Sequence, residues 1–312
     1  MFTKNFKQIS KKDVGIAGGK GASLGEMTQA GINVPPGFVV LASSFERFLN
    51  EADLFAEIDS RIKKINYKDI NSVDRASNEI RDLIGDAKFP NDIGQEILAD
   101  FNKLSAKFVA VRSSATAEDS LIASWAGELE TYLNTTRKTL FENVKQCWSS
   151  LFTPRALFYR NEKGLLKQKV LVAVVVQKMV QSDISGITFT VHPVTKDRNQ
   201  IVIEAGYGLG EAIVSGQITP DTYIVDKRNF TIMDINISEQ QRMIIKKKGE
   251  GVEWKPVIKS KQGQQKLTKK EIIEIAKACD KIEKHYKHPQ DIEWAIEKGK
   301  FYITQSRPIT TL

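Results

Sequence analysis

The spacing of apolar residues changes several times along the chain, and each change predicts a new element. Phe45, Phe48, Leu49, Leu54 and Ile58 recur at helical intervals within a stretch running from Ser43 to about Leu83, and Ile93, Ile97, Phe101 and Leu104 repeat the pattern. Val144, Cys147, Trp148, Leu151 and Phe152 mark a further amphipathic helix, and Thr153-Pro154-Arg155 opens another. Thr268 to Glu271 caps a helix that turns Ile272, Ile275, Ala276 and Ile282 inward. Strands are predicted where the apolar runs are short. They are Val39-Val40 after the turn Val34-Pro35-Pro36-Gly37, Phe108-Val109-Ala110-Val111, residues 185–190, 201–205 and 219–225, and above all the wholly apolar run 170–176, which reads as a central strand.

At the C-terminal end, Asp291 to Ile296 and Phe301 to Pro308 form the arms of a β-hairpin around Glu297-Lys298-Gly299. A three-residue turn would set Asp291 and Glu293 on the face that carries Gln305 and Arg307. Charges at the centre of an apolar hairpin need a partner. Two arrangements meet that need: a Mg²⁺-phosphate group, with Glu293 and Gln305 on the metal and Arg307 on a phosphate oxygen, or a cross-strand ion pair of Asp291 or Glu293 with Arg307.

A chain of 312 residues, 41% of them hydrophobic, can fill about two domain cores. The longest apolar run is too short for a bilayer span and the first residues lack the apolar core of a signal peptide, so a cytoplasmic protein with no membrane partner is expected. Cys147 and Cys279 are far apart without a CxxC partner, which predicts reduced thiols and no zinc site. The net charge of +8 is local, because residues 241–270 hold ten Lys or Arg against two Glu. With little apolar periodicity there, the segment reads as a solvated loop rather than a nucleic-acid footprint.

Other stretches carry candidate chemistry. Gly18-Gly19-Lys20-Gly21 opens a helix and can bring backbone N–H groups and a mobile cation to a phosphate, but Val14 and Gly21 occupy positions that a Walker A loop gives to Gly and Ser or Thr; the other reading is a tight strand-to-helix turn. Arg112 leaves a buried strand into Ser113-Ser114-Ala115-Thr116, a placement suited to clamping an anion or to pairing with Glu118 or Asp119. Gly127 and Thr131 lie in a loop able to cover phosphates. Gln177 and Met179 end the central strand, where a hinge between lobes would meet a purine edge, or where a plain core strand would end. Gly206-Tyr207-Gly208-Leu209-Gly210-Glu211 misses the dinucleotide fingerprint at Glu211.

Taken together, Gly18 to Met27, Val34-Pro35-Pro36-Gly37-Phe38, Ala110 to Asp119, Asp291-Ile292-Glu293-Trp294 and Gln305-Ser306-Arg307-Pro308 resemble the ATP-binding domain of phosphoenolpyruvate synthase (pyruvate, water dikinase) and its dikinase relatives, including rifamycin phosphotransferase. The likeness runs from about Phe6 to Leu312. It implies an α/β (α+β), ATP-grasp-like fold of two lobes with mixed sheets, here 1–180 with the Lys20 loop and Arg112, and 181–312 with the hairpin. By the same resemblance Lys20 and Arg112 hold phosphates, Gly127 and Thr131 belong to the covering loop, and Gln177 meets adenine. Glu293 and Gln305 bind Mg²⁺, and Arg307 joins Lys20 and Arg112 as a catalytic cation. ATP and Mg²⁺ are the implied cofactors.

In that family the β-phosphate passes to a His on a swivelling domain and then to pyruvate or another acceptor. His192, His285 and His288 lack the expected Gly-rich Ser-His context, so the phosphohistidine domain and the pyruvate-type acceptor domain are expected outside this chain. The alternatives are an antibiotic phosphotransferase domain and an ATP-sensing module that transfers nothing.

Overall fold

The computed structural model describes residues 1–116, 129–166 and 170–310. By contacts the chain divides into two compact units, Met1–Gln29 with Pro36–Met179, and Ala30–Pro35 with Val180–Leu312.

The first unit contains β1 (Thr3–Asn5), α1 (Val14–Gln29), β2 (Gly37–Val40), α2 (Ala42–Glu51), α3 (Phe55–Lys63), α4 (Ile70–Asp86), α5 (Asn91–Lys103), β3 (Val109–Ala115), β4 (Thr131–Thr135), α6 (Leu140–Ser149), α7 (Pro154–Glu162) and β5 (Val172–Lys178). Its strands form one antiparallel sheet in the order β1-β2-β5-β3-β4, with the apolar run 170–176 supplying the central strand. Side chains alternate across the pleat. Phe38, Val40, Val109, Val111, Val174 and Val176 therefore face the helices, in one cluster with Phe45, Phe48, Ile80, Ile97, Val144 and Trp148. Trp148 is fully buried there, its ring 5.4 Å from Phe45, 5.0 Å from Phe48 and 5.4 Å from Phe89. The helical pattern of 43–83 resolves into three helices rather than one.

The second unit contains β6 (Ile184–Phe189), β7 (Gln200–Tyr207), α8 (Glu211–Val214), β8 (Asp221–Asp226), β9 (Thr231–Asn236), β10 (Arg242–Lys246), β11 (Val252–Pro256), α9 (Lys269–Tyr286), β12 (Gln290–Glu297) and β13 (Lys300–Pro308). Its main sheet runs β13-β12-β6-β7-β8-β9. The strand pairings described in both units are antiparallel, where mixed sheets were expected. Buried Thr188, Ile203, Tyr223, Ile292 and Trp294 share one face of this sheet, and α9 presents Ile272, Ile275, Ala276, Cys279 and Ile282 as its buried side. Thr268 and Glu271 form the capping box predicted for α9.

Residues 241–270 depart from the expected solvated loop. Residues Arg242 to Pro256 fold back as the β10–β11 hairpin, which buries Ile244 and stacks Arg242 4.3 Å over the Trp254 ring. Lys266, counted among the solvated charges, forms a fully buried ion pair of 2.7 Å with Asp221. Ser238 N–H and the Lys266 N–H donate to the same carboxylate, as does the Tyr223 hydroxyl at 2.8 Å. Linear charge counting missed this pair because its acid lies 45 residues away.

Candidate functional site

In the first unit the sheet face opposite the helical core carries Ala110, Arg112 and Ser114 from β3 and Ala173, Val175 and Gln177 from β5, as the alternation and register require. Arg112 lies across from Val175 on one side and Thr131 on the other. One face thus gathers Arg112 and Gln177, with Thr131 beside Arg112 on the edge strand; 131–135 is strand rather than loop. Gln177 is almost fully buried, Arg112 half-buried and Thr131 exposed.

The Gly-rich segment packs on this same face. Helix α1 breaks at Gly18, whose φ of 68° and ψ of 170° are non-helical, and restarts toward Lys20. A Cβ at Gly18 would stand 2.3 Å from the Ser114 carbonyl oxygen, so the backbone can approach β3 only without a side chain. The Ser114 hydroxyl bridges the break. It accepts from the Gly21 N–H at 3.1 Å and donates to the Ala17 carbonyl at 2.9 Å. Lys20 is thereby carried on a segment fastened two residues from Arg112. Ser114 was not singled out from sequence, although a Ser in phase with Arg112 on a buried strand was the available signal. Gly127, Glu118 and Asp119 lie outside the described residues.

In the second unit the hairpin brings its polar residues together by a different device from the one expected. The turn is two residues long, Lys298 and Gly299, with φ of 51° and 74°, and pairs Glu297 with Lys300. An even turn alone would put Glu293 out of phase with Gln305. A register shift after Glu293 restores it: Trp294 lies across from Ile303 but Glu293 across from Gln305 and Asp291 across from Arg307, with Thr304 as the extra residue. Through β6 and β7 the row continues, so that Gln305, Glu293, Ile187 and Glu204 run across four adjacent strands. Glu204 was also missed; a lone carboxylate inside the apolar strand 201–205 was its signal.

The Arg307 guanidinium donates from Nε at 2.8 Å and Nη2 at 2.6 Å to one Asp291 oxygen, so the cross-strand pair is formed by Asp291. Burial nevertheless pushes the Asp291 carboxyl above the usual range, against the pull of Arg307 and with a further push from Glu293. Glu204 is pushed up likewise, first by burial and then by the Asp291 charge. This face therefore has more negative charge than its own Arg offsets. Among the described residues no cluster of three or more His, Cys, Asp or Glu forms a metal cage. Mg²⁺ needs no such cage, since one or two protein oxygens plus substrate phosphates suffice. Glu293 and Gln305, direct neighbours in the register, fit that donor set, and the excess negative charge favours a cation.

The remaining candidates have structural roles. His192 Nδ1 accepts from the Val194 and Thr195 N–H groups at 3.2 Å each and shapes a turn, and His288 Nδ1 lies 3.0 Å from the Pro289 carbonyl oxygen. Burial raises both thiols to about 12, which leaves Cys147 and Cys279 as unreactive core residues. No helix among the described residues is long and apolar enough to cross a membrane.

The Gly-rich segment of Lys20 and the strand arginine Arg112 lie in one antiparallel α/β unit and the oxygen-rich hairpin in another, and the chain is a nucleotide-binding protein of the ATP-grasp-like class. Residues 14–312 match the pyruvate phosphate dikinase AMP/ATP-binding domain family, and the chain belongs to that family. It is 47% identical, over 98% of its length, to a probable phosphoenolpyruvate synthase of Methanocaldococcus jannaschii, covering 26% of that protein. Over its whole length it is 43% identical to the phosphoenolpyruvate synthase of Pyrococcus furiosus, covering 44%. Over 98% it is 37% identical to the rifampicin phosphotransferase of Bacillus subtilis, covering 35%. The chain thus spans less than half the length of these relatives.

Proposed function

We propose that this chain binds Mg-ATP and is the phosphoryl-donating part of a phosphoenolpyruvate synthase-type dikinase, passing the β-phosphate to a His on a swivelling domain outside the chain, for onward transfer to pyruvate. The observation that carries the reading is the family match together with the juxtaposition of Glu293 and Gln305 in one register row. Phosphoryl transfer asks the protein mainly for position and charge neutralisation. Lys20 and Arg112 hold phosphate oxygens from the rigid base of α1 and β3. Thr131 adds a hydroxyl beside Arg112, and Gln177 presents its amide to the adenine edge. Arg307, held by Asp291, neutralises charge on the transferring group. Glu293 and Gln305 would hold Mg²⁺, which supplies charge neutralisation of the phosphates.

Thermal unfolding with and without Mg-ATP tests the binding step. Ligand at about a hundred times its dissociation constant adds roughly 2.7 kcal/mol to stability. The wild type should shift upward only when metal and ATP are both present, and Glu293→Ala should lose the shift; an equal shift in the variant would remove the hairpin from the site. Transfer is tested by supplying ATP labelled at the β-phosphate together with the His domain of a relative. Label retained wholly on nucleotide, with binding intact, would favour an ATP-sensing module instead. The 37% identity to a rifampicin phosphotransferase makes the antibiotic the second acceptor to try beside pyruvate.

A further inference from the structure

Arg160 on α7 is buried to 5% exposure in the helical layer of the first unit, across the sheet from Arg112. Its Nε and Nη1 make no hydrogen bond, and the hydroxyl of Tyr67, from the connection between α3 and α4, is also buried and unbonded. The two groups act on each other electrostatically, and no carboxylate among the described residues contributes at Arg160. Their surroundings are aromatic: the guanidinium lies 5.9 Å from the Phe152 ring centroid, and the Tyr67 ring meets Phe158 edge-on at 6.1 Å.

A guanidinium keeps its charge when buried, because its proton affinity is too high for it to neutralise. Burial of a lone charge is strongly unfavourable, and the face of Phe152 offsets only part of that cost. The contrast within the same chain is Lys266, equally buried but matched by Asp221. Arg160 has the same need, and among the described residues no group meets it at Nε or Nη1.

We propose that Arg160 and Tyr67 form a binding site for a small inorganic oxyanion of the phosphate or sulfate class, with the guanidinium supplying charge and N–H donors and the phenol a further O–H donor. The site is separate from the Lys20 and Arg112 segment, and it stands whether or not the chain binds ATP.

The test is the melting temperature of the chain as sodium phosphate is titrated at constant ionic strength without nucleotide. Wild type should give a saturable rise. Arg160→Met, which keeps the bulk and removes the charge, should abolish that rise and melt no lower than wild type in phosphate-free buffer. Tyr67→Phe should fold and need several-fold more phosphate for half-saturation. A full saturable response in Arg160→Met, or none in wild type, overturns the proposal. Should Arg160→Met fail to fold, an unchanged half-saturation point in Tyr67→Phe does so.

Discussion

At the scale of single residues, Ser114 and Gly18 decide where Lys20 can stand. Gly18→Ala combines a positive φ with a backbone clash and is expected to destabilise the chain by about 3 kcal/mol, read from the urea midpoint with unchanged slope. Ser114→Ala leaves a buried N–H and a carbonyl without their bridge, at a cost of about 1–3 kcal/mol. The raised carboxyls of the hairpin face make a prediction with a definite sign. Asp291 and Glu204 bind protons more tightly folded than unfolded. The stability this gives is present at low pH and is lost as pH rises from the ordinary values of 3.8 and 4.5 through the folded ones. Removing one of these carboxylates should therefore help most at higher pH. Glu204→Gln, compared with wild type without Mg²⁺, should show a melting temperature difference that grows more positive between about pH 4 and pH 7; a difference that shrinks over that range would count against the excess of negative charge on this face.

At the scale of elements, the β12–β13 hairpin shows how one residue sets chemistry for a whole strand. Because faces alternate every residue, inserting an Ala after Thr304 would place Gln305 across from Ile292 and turn Gln305 and Arg307 away from Glu293 and Asp291. The expected result is loss of the Mg-ATP-dependent thermal shift. Inserting a Gly into the Lys298-Gly299 turn should preserve it, since the pairs from Glu297 with Lys300 up to the shift after Glu293 can stay as they are around a longer loop. Equal loss in both would mean that the turn, not the pairing of the two arms, sets the register. Strand β8 is tied to the start of α9 by the Asp221–Lys266 pair. Breaking a buried pair from one side costs roughly 3–5 kcal/mol, so Lys266→Met should unfold at markedly lower urea when followed by the buried Trp294.

At the scale of the whole molecule, the sequence by itself determined the family and most helices and strands, and it named the polar residues on which the proposed function is built. These are local properties: apolar period, caps, turn residues and motif order act within a few residues of one another. The tertiary structure alone decided which of those residues meet. Asp221 reached Lys266 and made a core pair of a charge that composition had assigned to solvent. Ser114 became the clasp of the Gly-rich segment across 93 residues. Glu204 joined Glu293 through the register of β6, which belongs to neither strand. The hairpin face came out as expected although its turn did not, because parity along two strands depends on every residue between the paired positions. A sequence records the order of side chains; register, burial and the partner of a buried charge follow from where distant strands pack, and that is settled by the free energy of the whole core.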